Sequence, residues 1–243
     1  MPGEQTPSAA DTIQKFSIPL AIVIAGALIS GALFFGGGGN QSGQPSAPSA
    51  ANIKDVKIQA DDPVIGEKSA RATLAYWFDY QCPFCRAVDV GGVPQIPIEP
   101  SMPTLIRDYV ETGKLKIVFK DYAFLGEDST TAALYKHAIW DLYPNKFYDW
   151  HEAMFKAQDE ENGGFGDEAS ILKLIKTIPG LDADALKARV AEKRDAYLAL
   201  IAEDQQEGAK FGIQGTPGFI TGKTLIPGAE KLETFKSAID AQL

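Results

Sequence analysis

Cysteine occurs twice in 243 residues, in Cys82-Pro83-Phe84-Cys85, directly after the apolar run 72–78. A run of that kind, without a charge, reads as a central strand covered on both faces. Asp79-Tyr80-Gln81 then makes a short connection and Cys82 opens a helix, whose first turn accepts Pro83 because a missing N–H costs nothing there. The fold must therefore bring a strand end, a tight connection and a helix N-terminus to one point. Two thiols this close in sequence shut too small a loop to remove much chain entropy, so a structural staple explains them poorly. A reversible dithiol–disulfide pair explains them better. Unpaired N–H groups and the positive end of the helix dipole favour a thiolate at Cys82, making it the exposed, activated sulfur. Cys85, one turn inside, is then the buried resolving one. Phe84 adds no positive charge between them, so less thiolate stabilisation is expected than a histidine there would supply.

Two other readings of the pair stand beside this one. A zinc site needs about four ligands; the two cysteines supply half, and His137 and His151 lie far off at no ligand-like spacing. No metal is expected, and dithiol chemistry needs no bound cofactor. An inert pair of cysteines remains open, since Cys-x-x-Cys alone is only moderately specific.

With 23 Lys+Arg against 32 Asp+Glu the net charge is −9, and no basic stripe offsets it, so nucleic-acid binding is not expected. Charge is also absent from residues 17–35, 19 residues long, enough for a helix to cross a bilayer core. Pro19 falls in the first turn of that span, where it is tolerated. A retained single-pass signal-anchor is expected. The rival is a cleaved signal peptide, whose apolar region is usually shorter, at about 7–15 residues, although Ala47 and Ser49 imitate a cleavage site. Lys15 lies on the N-terminal side and no basic residue follows until Lys54, which places residues 1–16 in the cytoplasm and the bulk of the chain outside the cell membrane. Residues 36–52 hold only Gly, Asn, Gln, Ser, Pro and Ala. Such a stretch cannot bury apolar surface and is expected to be a flexible linker with a root-mean-square span of ~20–25 Å.

Residues 53–243 make the folded part. Residues 53–59 alternate like an edge strand before Asp61-Asp62-Pro63 breaks them; 71–78 and 114–120 are further strands. Residues 127–140, 146–158, 167–178 and 182–207 read as helices, the last N-capped by Asp182 and ending before Gly208. Residues 217–221 and 224–226 flank Gly222-Lys223 as a hairpin, and 229–243 close the chain as an amphipathic helix with Leu232, Phe235 and Ile239 on one face. Residues 89–103 carry two Gly and four Pro, which should stop the first helix near Val90 and leave either a substrate-contacting loop or a plain spacer. Trp77, Phe78, Phe119 and Phe124 read as core, His137 and His151 as hydrogen-bonded or surface residues, and Asp159-Glu160-Glu161 as a solvated loop. The fold class is α/β: a mixed sheet with helices on both faces and a helical block inserted at about residues 123–212.

The segments FDYQCPFC (78–85), DDPVIG (61–66), KLKIVFKDY (114–122) and FGIQGTPGFITG (211–222) together resemble the DsbA-type thiol–disulfide oxidoreductases across residues 53–243. The resemblance implies a thioredoxin-like core with a helical insertion, and a cis Pro217 that faces the cysteine pair. It also implies that the Thr216 backbone pairs with substrate chain beside Cys82. Six residues before Cys82, where many relatives keep a buried acid as a proton relay, this chain has Tyr76. Asp79 is the nearest acid, read either as a proton-transfer group modulating the pair or as an ordinary turn or capping aspartate.

Together with the expected anchor, the resemblance implies an extracytoplasmic, membrane-tethered enzyme that introduces disulfides into exported cysteine-containing proteins. A membrane quinone reductase, DsbB- or VKOR-like, would reoxidise it. One alternative runs the same pair backwards as a reductase or isomerase. Another, of a different class, is a redox-inert module that docks extended peptides.

Overall fold

The computed structural model describes residues 51–161 and 163–243. The expected cytoplasmic tail, the apolar span and all but the last two residues of the linker lie outside the described residues. Among those described, no helix is long and apolar enough to cross a membrane.

One five-stranded sheet holds β1 (Val64–Ile65), β2 (Ala72–Phe78), β3 (Leu115–Asp121), β4 (Gly218–Thr221) and β5 (Thr224–Pro227) in the order β1-β3-β2-β4-β5. β2 runs parallel to β3 and antiparallel to β4, so it is bonded on both edges, and β1 and β5 are antiparallel edges. Its two faces are buried separately. Leu74, Tyr76 and Phe78 enter the larger core with Phe119 and Phe219, while Ala75 and Trp77 pack with Val56, Phe211, Ile213 and Ile220. That two-sided burial is why the run lacks the polar alternation of a half-exposed strand.

The helices are α1 (Pro83–Asp89), α2 (Met102–Leu105), α3 (Glu127–Leu142), α4 (Phe147–Ala157), α5 (Glu168–Ile175), α6 (Ala183–Lys210) and α7 (Leu232–Asp240). α1 stops at Val90, before Gly91 and Gly92, as the glycines and prolines require. The α3–α6 block between β3 and β4 is the expected helical insertion. Asp182 caps α6 by accepting from the N–H groups of Asp184 and Ala185. Gly222 takes φ 57° in the tight turn of the β4–β5 hairpin. Segment 89–103 leaves irregular chain whose Pro97, Ile98 and Glu99 face Lys231–Glu233 at the start of α7.

Three local expectations differ from the structure. Residues 53–59 form no strand: Ile53–Asp55 is a 3-10 turn capped by Asn52. The following donors go to side chains, Lys57 N–H to Glu207 and Gln59 N–H to Asp62, while Val64–Ile65 takes the edge beside β3. α2 and the single wide turn that continues it, Ile106–Val110, arise in a segment whose prolines concealed a helix; Pro103 sits in the first turn, where it is tolerated. α6 runs through Gly208 to Lys210.

Gly208 is kept within α6 by contact rather than by chain reversal. A Cβ there would lie 3.0 Å from both Cδ1 and Nε1 of Trp77, whose indole is wholly buried and donates to the Asp204 carbonyl at 2.9 Å. Helix propensity alone favours alanine by about 1 kcal/mol, but crowding an immobile ring costs about 1–3 kcal/mol. Gly208→Ala is therefore expected to lower Tm by about 2–4 °C, the effect of a net loss near 1 kcal/mol in a chain this size. A thermal melt that rises instead would show that the ring can give way.

Candidate active site

β2 delivers the chain to the site and α1 receives it. Phe78 is the last strand residue, the Cys82 N–H closes a turn onto the Asp79 carbonyl at 3.1 Å, and Cys82 is the N-cap residue of α1 with Pro83 in the first helical position. Asp79 holds this turn. Its Oδ1 accepts from the Gln81 N–H at 2.9 Å, and its Oδ2 from the N–H groups of Phe124 at 2.9 Å and Leu125 at 3.1 Å. Burial pushes its carboxyl upward while these donors work against that. The geometry is that of a clamp between the Cys82 turn and the β3–α3 loop. From the other side, Gln158 donates through Nε2 to the carbonyls of Tyr80 at 2.6 Å and Cys82 at 3.1 Å, and Arg86 donates to the Gln158 carbonyl.

Both cysteines are free thiols, and their surroundings differ. Cys82 Sγ lies 3.3 Å from the Thr216 carbonyl oxygen, and the Thr216–Pro217 peptide is cis. The Cys82 thiol is lowered from its usual range to about 7. A hydrogen bond from Cys85 does most of this, opposed by burial and helped by Thr216 and by the N–H groups of Cys85 and Phe84. Those two N–H groups belong to the first turn of α1, where unpaired donors were expected. Cys85 is pushed well above a normal thiol, first by burial, then by the Cys82 sulfur, with the Asp89 charge adding to both. One sulfur thus ionises easily and its neighbour resists.

Two expectations about exposure need correction. Cys82 is not an exposed sulfur: it keeps 4 % of its surface, because Thr216 and the first turn of α1 close over it. Phe124 is not core but 51 % exposed; anchoring of its own N–H by Asp79 holds it on the β3–α3 loop. Phe84, between the cysteines, is 49 % exposed. Beside the cis proline, residues 212–218 with Leu225, Pro227 and Gly228 line a shallow cavity of about 270 Å³.

Some residues at the site were not singled out from the sequence. Asp89 follows Cys85 by one helical turn and is buried with it, a spacing that could have drawn notice. His151, expected only to be hydrogen-bonded or on the surface, is fully buried and meets Asp89 Oδ1 through Nε2 at 2.9 Å. Gln158 carried no sequence signal. His137 stands apart from the pair, bonded to Asp121 at 2.7 Å and stacked on Tyr197.

Only a thiolate is alkylated at a useful rate, so the lowered Cys82 thiol sets a pH profile. In the reduced protein, iodoacetamide labelling of Cys82 should rise about tenfold from pH 6 to pH 8 and level off, following a midpoint near 7. Mass spectrometry should find Cys85 unlabelled over the same interval. A profile still climbing steeply at pH 8 would mean that Cys82 is an ordinary thiol.

Comparison with known proteins places the fold. Residues 59–241 match the family described as Thioredoxin. Disulfide bond formation protein D of Bacillus subtilis (strain 168) is 25 % identical over 202 residues, spanning 83 % of this chain and 81 % of that protein. The crystal structure of oxidised BdbD from Bacillus subtilis shares the fold with a TM-score of 0.66 at 22 % identity, over 82 % of this chain and 98 % of that one. The thiol-disulfide exchange protein alpha-DsbA2 from Wolbachia pipientis is 26 % identical with a TM-score of 0.62, over 75 % of this chain and 87 % of that one. The chain belongs to the thioredoxin family and is a thiol–disulfide oxidoreductase of the DsbA type.

Proposed function

We propose that this oxidoreductase is a membrane-anchored, extracytoplasmic oxidant that introduces disulfides into exported cysteine-containing proteins through Cys82 and Cys85. The observation that carries the exchange chemistry is the contrast between the two sulfurs, one lowered to about 7 and the other pushed well up. A stabilised Cys82 thiolate favours the reduced form of the pair, and a pair that is stable when reduced draws electrons from others. A substrate thiolate attacks Cys82 Sγ; the new S–S bond forms as the Cys82–Cys85 bond breaks, and its electron pair leaves on Cys85. A second substrate thiolate then attacks the substrate sulfur of the mixed disulfide and expels Cys82. The substrate has lost two electrons and the enzyme has gained them. A membrane quinone reductase, DsbB- or VKOR-like, would take them on.

Substrate chain would lie along Thr216 and Pro217, with its reacting sulfur next to Cys82. Phe84 and Phe124 offer apolar surface to chains that have not finished folding, whose apolar residues are still exposed. Pro83 and Phe84 shape the entry to the helix, and Asp79 acts by fixing the turn. The anchor would be residues 17–35, with 36–52 as tether, residues 1–16 in the cytoplasm and residues 53–243 beyond the membrane; the apolar run and the placement of Lys15 support this. The relatives named disulfide bond formation protein D support the oxidising direction.

One observation favours the reverse direction. A Cys82 thiol near 7 matches thioredoxin's reactive cysteine, at about 7, and thioredoxin is a reductant. The potential of the pair decides. Equilibration with glutathione should give a value well above about −270 mV for an oxidant and close to it for a reductase or isomerase. In parallel, Cys82→Ser should abolish exchange with a cysteine-containing peptide. Cys85→Ser should instead accumulate a mixed disulfide on Cys82, visible as an added peptide mass. Exchange that survives Cys82→Ser would defeat the assignment.

A further inference from the structure

The helical insertion reaches back to the reactive cysteine through one buried amide. Gln158 is the first residue past α4, where the chain turns out of the helix at ψ 128°, and it is buried. Its Nε2 donates to the Tyr80 carbonyl at 2.6 Å and to the Cys82 carbonyl at 3.1 Å. Both partners are oxygens that can only accept, so the amide nitrogen must face them. The Cys82 carbonyl also accepts from the Arg86 N–H at 3.2 Å, and Arg86 Nη1 donates in turn to the Gln158 carbonyl. Cys82, Arg86 and Gln158 thus close a ring of hydrogen bonds between the first turn of α1 and the end of α4.

A second part of the insertion lies against the same turn. Gln81 Nε2 donates to the Phe165 carbonyl at 2.9 Å. Gly166, at φ 131°, has no room for a side chain, because a Cβ there would collide with Gln81 Nε2 and Asp128 Cβ. Tyr80, Gln81 and Cys82 are therefore each hydrogen-bonded to the insertion.

Cys82 needs such support. As the N-cap of α1 it holds φ −79° and ψ 119°, with its sulfur turned to the N–H groups of Phe84 and Cys85 and to the Thr216 carbonyl 3.3 Å away. An N-cap residue lies outside the helical conformation, so the helix itself does not fix those dihedrals. Pro83 brings no N–H to anchor the peptide that follows. The restraint comes from the Cys82 N–H on the Asp79 carbonyl at 3.1 Å, within the turn, and from Gln158, outside it. Packing alone gives no reason for an amide at this position. The two turn carbonyls give one, since buried polar groups are costly unless bonded.

We infer that Gln158 is a positioning residue for disulfide exchange, holding the Cys82 backbone so that the sulfur stays aligned with the helix N–H groups and with Thr216. This rests on the reading of Cys82–Cys85 as the exchanging pair. Gln158 touches no reacting atom and acts through Cys82. A sulfur out of line with those N–H groups ionises less readily. One displaced by about 1 Å reacts at rates down by as much as about 100-fold. The insertion is then part of the exchange machinery, through a residue far from both cysteines in sequence.

The test compares the full chain with Gln158→Leu, which keeps the bulk and loses both donors, and with Gln242→Leu as a matched control. Gln242 Nε2 donates to Thr221 Oγ1 at 2.6 Å and to the Ala238 carbonyl at 3.1 Å, at the end of β4 remote from Pro217. Each disulfide form is mixed in stopped flow with a dithiol peptide, and each reduced form is labelled with iodoacetamide from pH 5 to 10. Gln158→Leu should slow opening of the disulfide about tenfold, the worth of one or two hydrogen bonds. It should also shift the Cys82 labelling profile to higher pH, with labelling at pH 7 down about threefold and rates converging at pH 10, where Cys82 is ionised in both. Gln242→Leu should stay within about twofold of wild type in both measurements. Should Gln158→Leu fail to fold, Gln158→Glu decides by the same measurements, since its carboxylate has the length and no donor. An unshifted labelling profile, an opening rate within about twofold of wild type, or losses that Gln242→Leu reproduces overturn the positioning role while leaving the exchanging pair intact. A wild-type chain that exchanges nothing with the peptide overturns both.

Discussion

The hydrogen bond from Cys85 to Cys82 has a direction because the two sulfurs, both buried, lie one helical turn apart in different surroundings. β2 is buried on both faces and ends abruptly, so the chain makes one buried turn and enters α1 at once. Cys82 falls on the turn, among helix N–H groups and beside a backbone carbonyl. Cys85 falls one turn deeper, where ionisation is opposed by burial and by a neighbouring carboxylate. Had the strand continued or the helix begun later, both sulfurs would share one environment and neither would ionise before the other. The asymmetry is a consequence of topology before it is one of side-chain chemistry.

A turn carrying that asymmetry needs support from outside itself, since α1 is only seven residues long. Asp79 ties it to the β3–α3 loop, Gln158 ties it to the end of α4, and Gln81 Nε2 reaches the Phe165 carbonyl at 2.9 Å. All three contacts run to the segment between β3 and β4, so that block braces the site as well as covering the sheet. Phe124 gains its exposed position from the same bracing, since the bond that fixes the turn also fixes the loop bearing the ring.

Legibility in the sequence followed the range of the forces involved. β2, α1, the Asp182 cap and the β4–β5 turn were readable because their causes are local: an uninterrupted apolar run, a proline at a helix start, a capping carboxylate, a glycine between two strands. The cysteine pair was readable for the same reason. Thr216 and Pro217 could be joined to it only through family resemblance, because their approach to Cys82 is a long-range contact. Except for α2, concealed by the local prolines of its segment, the missed features are long-range. Residues 53–59 alternate as a strand would, but Glu207 and Asp62 take their backbone donors, and no pattern within the segment announces that. Gly208 looked like a helix stop because its reason for being glycine is Trp77, far away in sequence. His151 and Asp89 meet across two helices. Phe124 looked like core because an aromatic residue in an apolar loop usually is, and only the Asp79 clamp turns it outward.

Two buried ionic groups in this fold are built to different rules, and the contrast bears on what each does. Near α6, Lys120 contacts Asp62, Asp204 and Glu207, with its ammonium group held protonated by the nearby carboxylates against the cost of burial. Next to it Lys136 and His137 share Asp121, whose carboxyl is lowered to about 2 because Lys136 and His137 outweigh its burial. His137 itself is pushed down by burial and by Lys136. Lysines fix the charge in that cluster, which suits a structural role between β3 and the insertion. The Asp89 cluster has no such lysine among its ion pairs: its partner is a histidine, and its other neighbours are hydroxyls. Its hydrogen bonds join β2, α1, α4 and the Cys82 turn without a fixed positive charge.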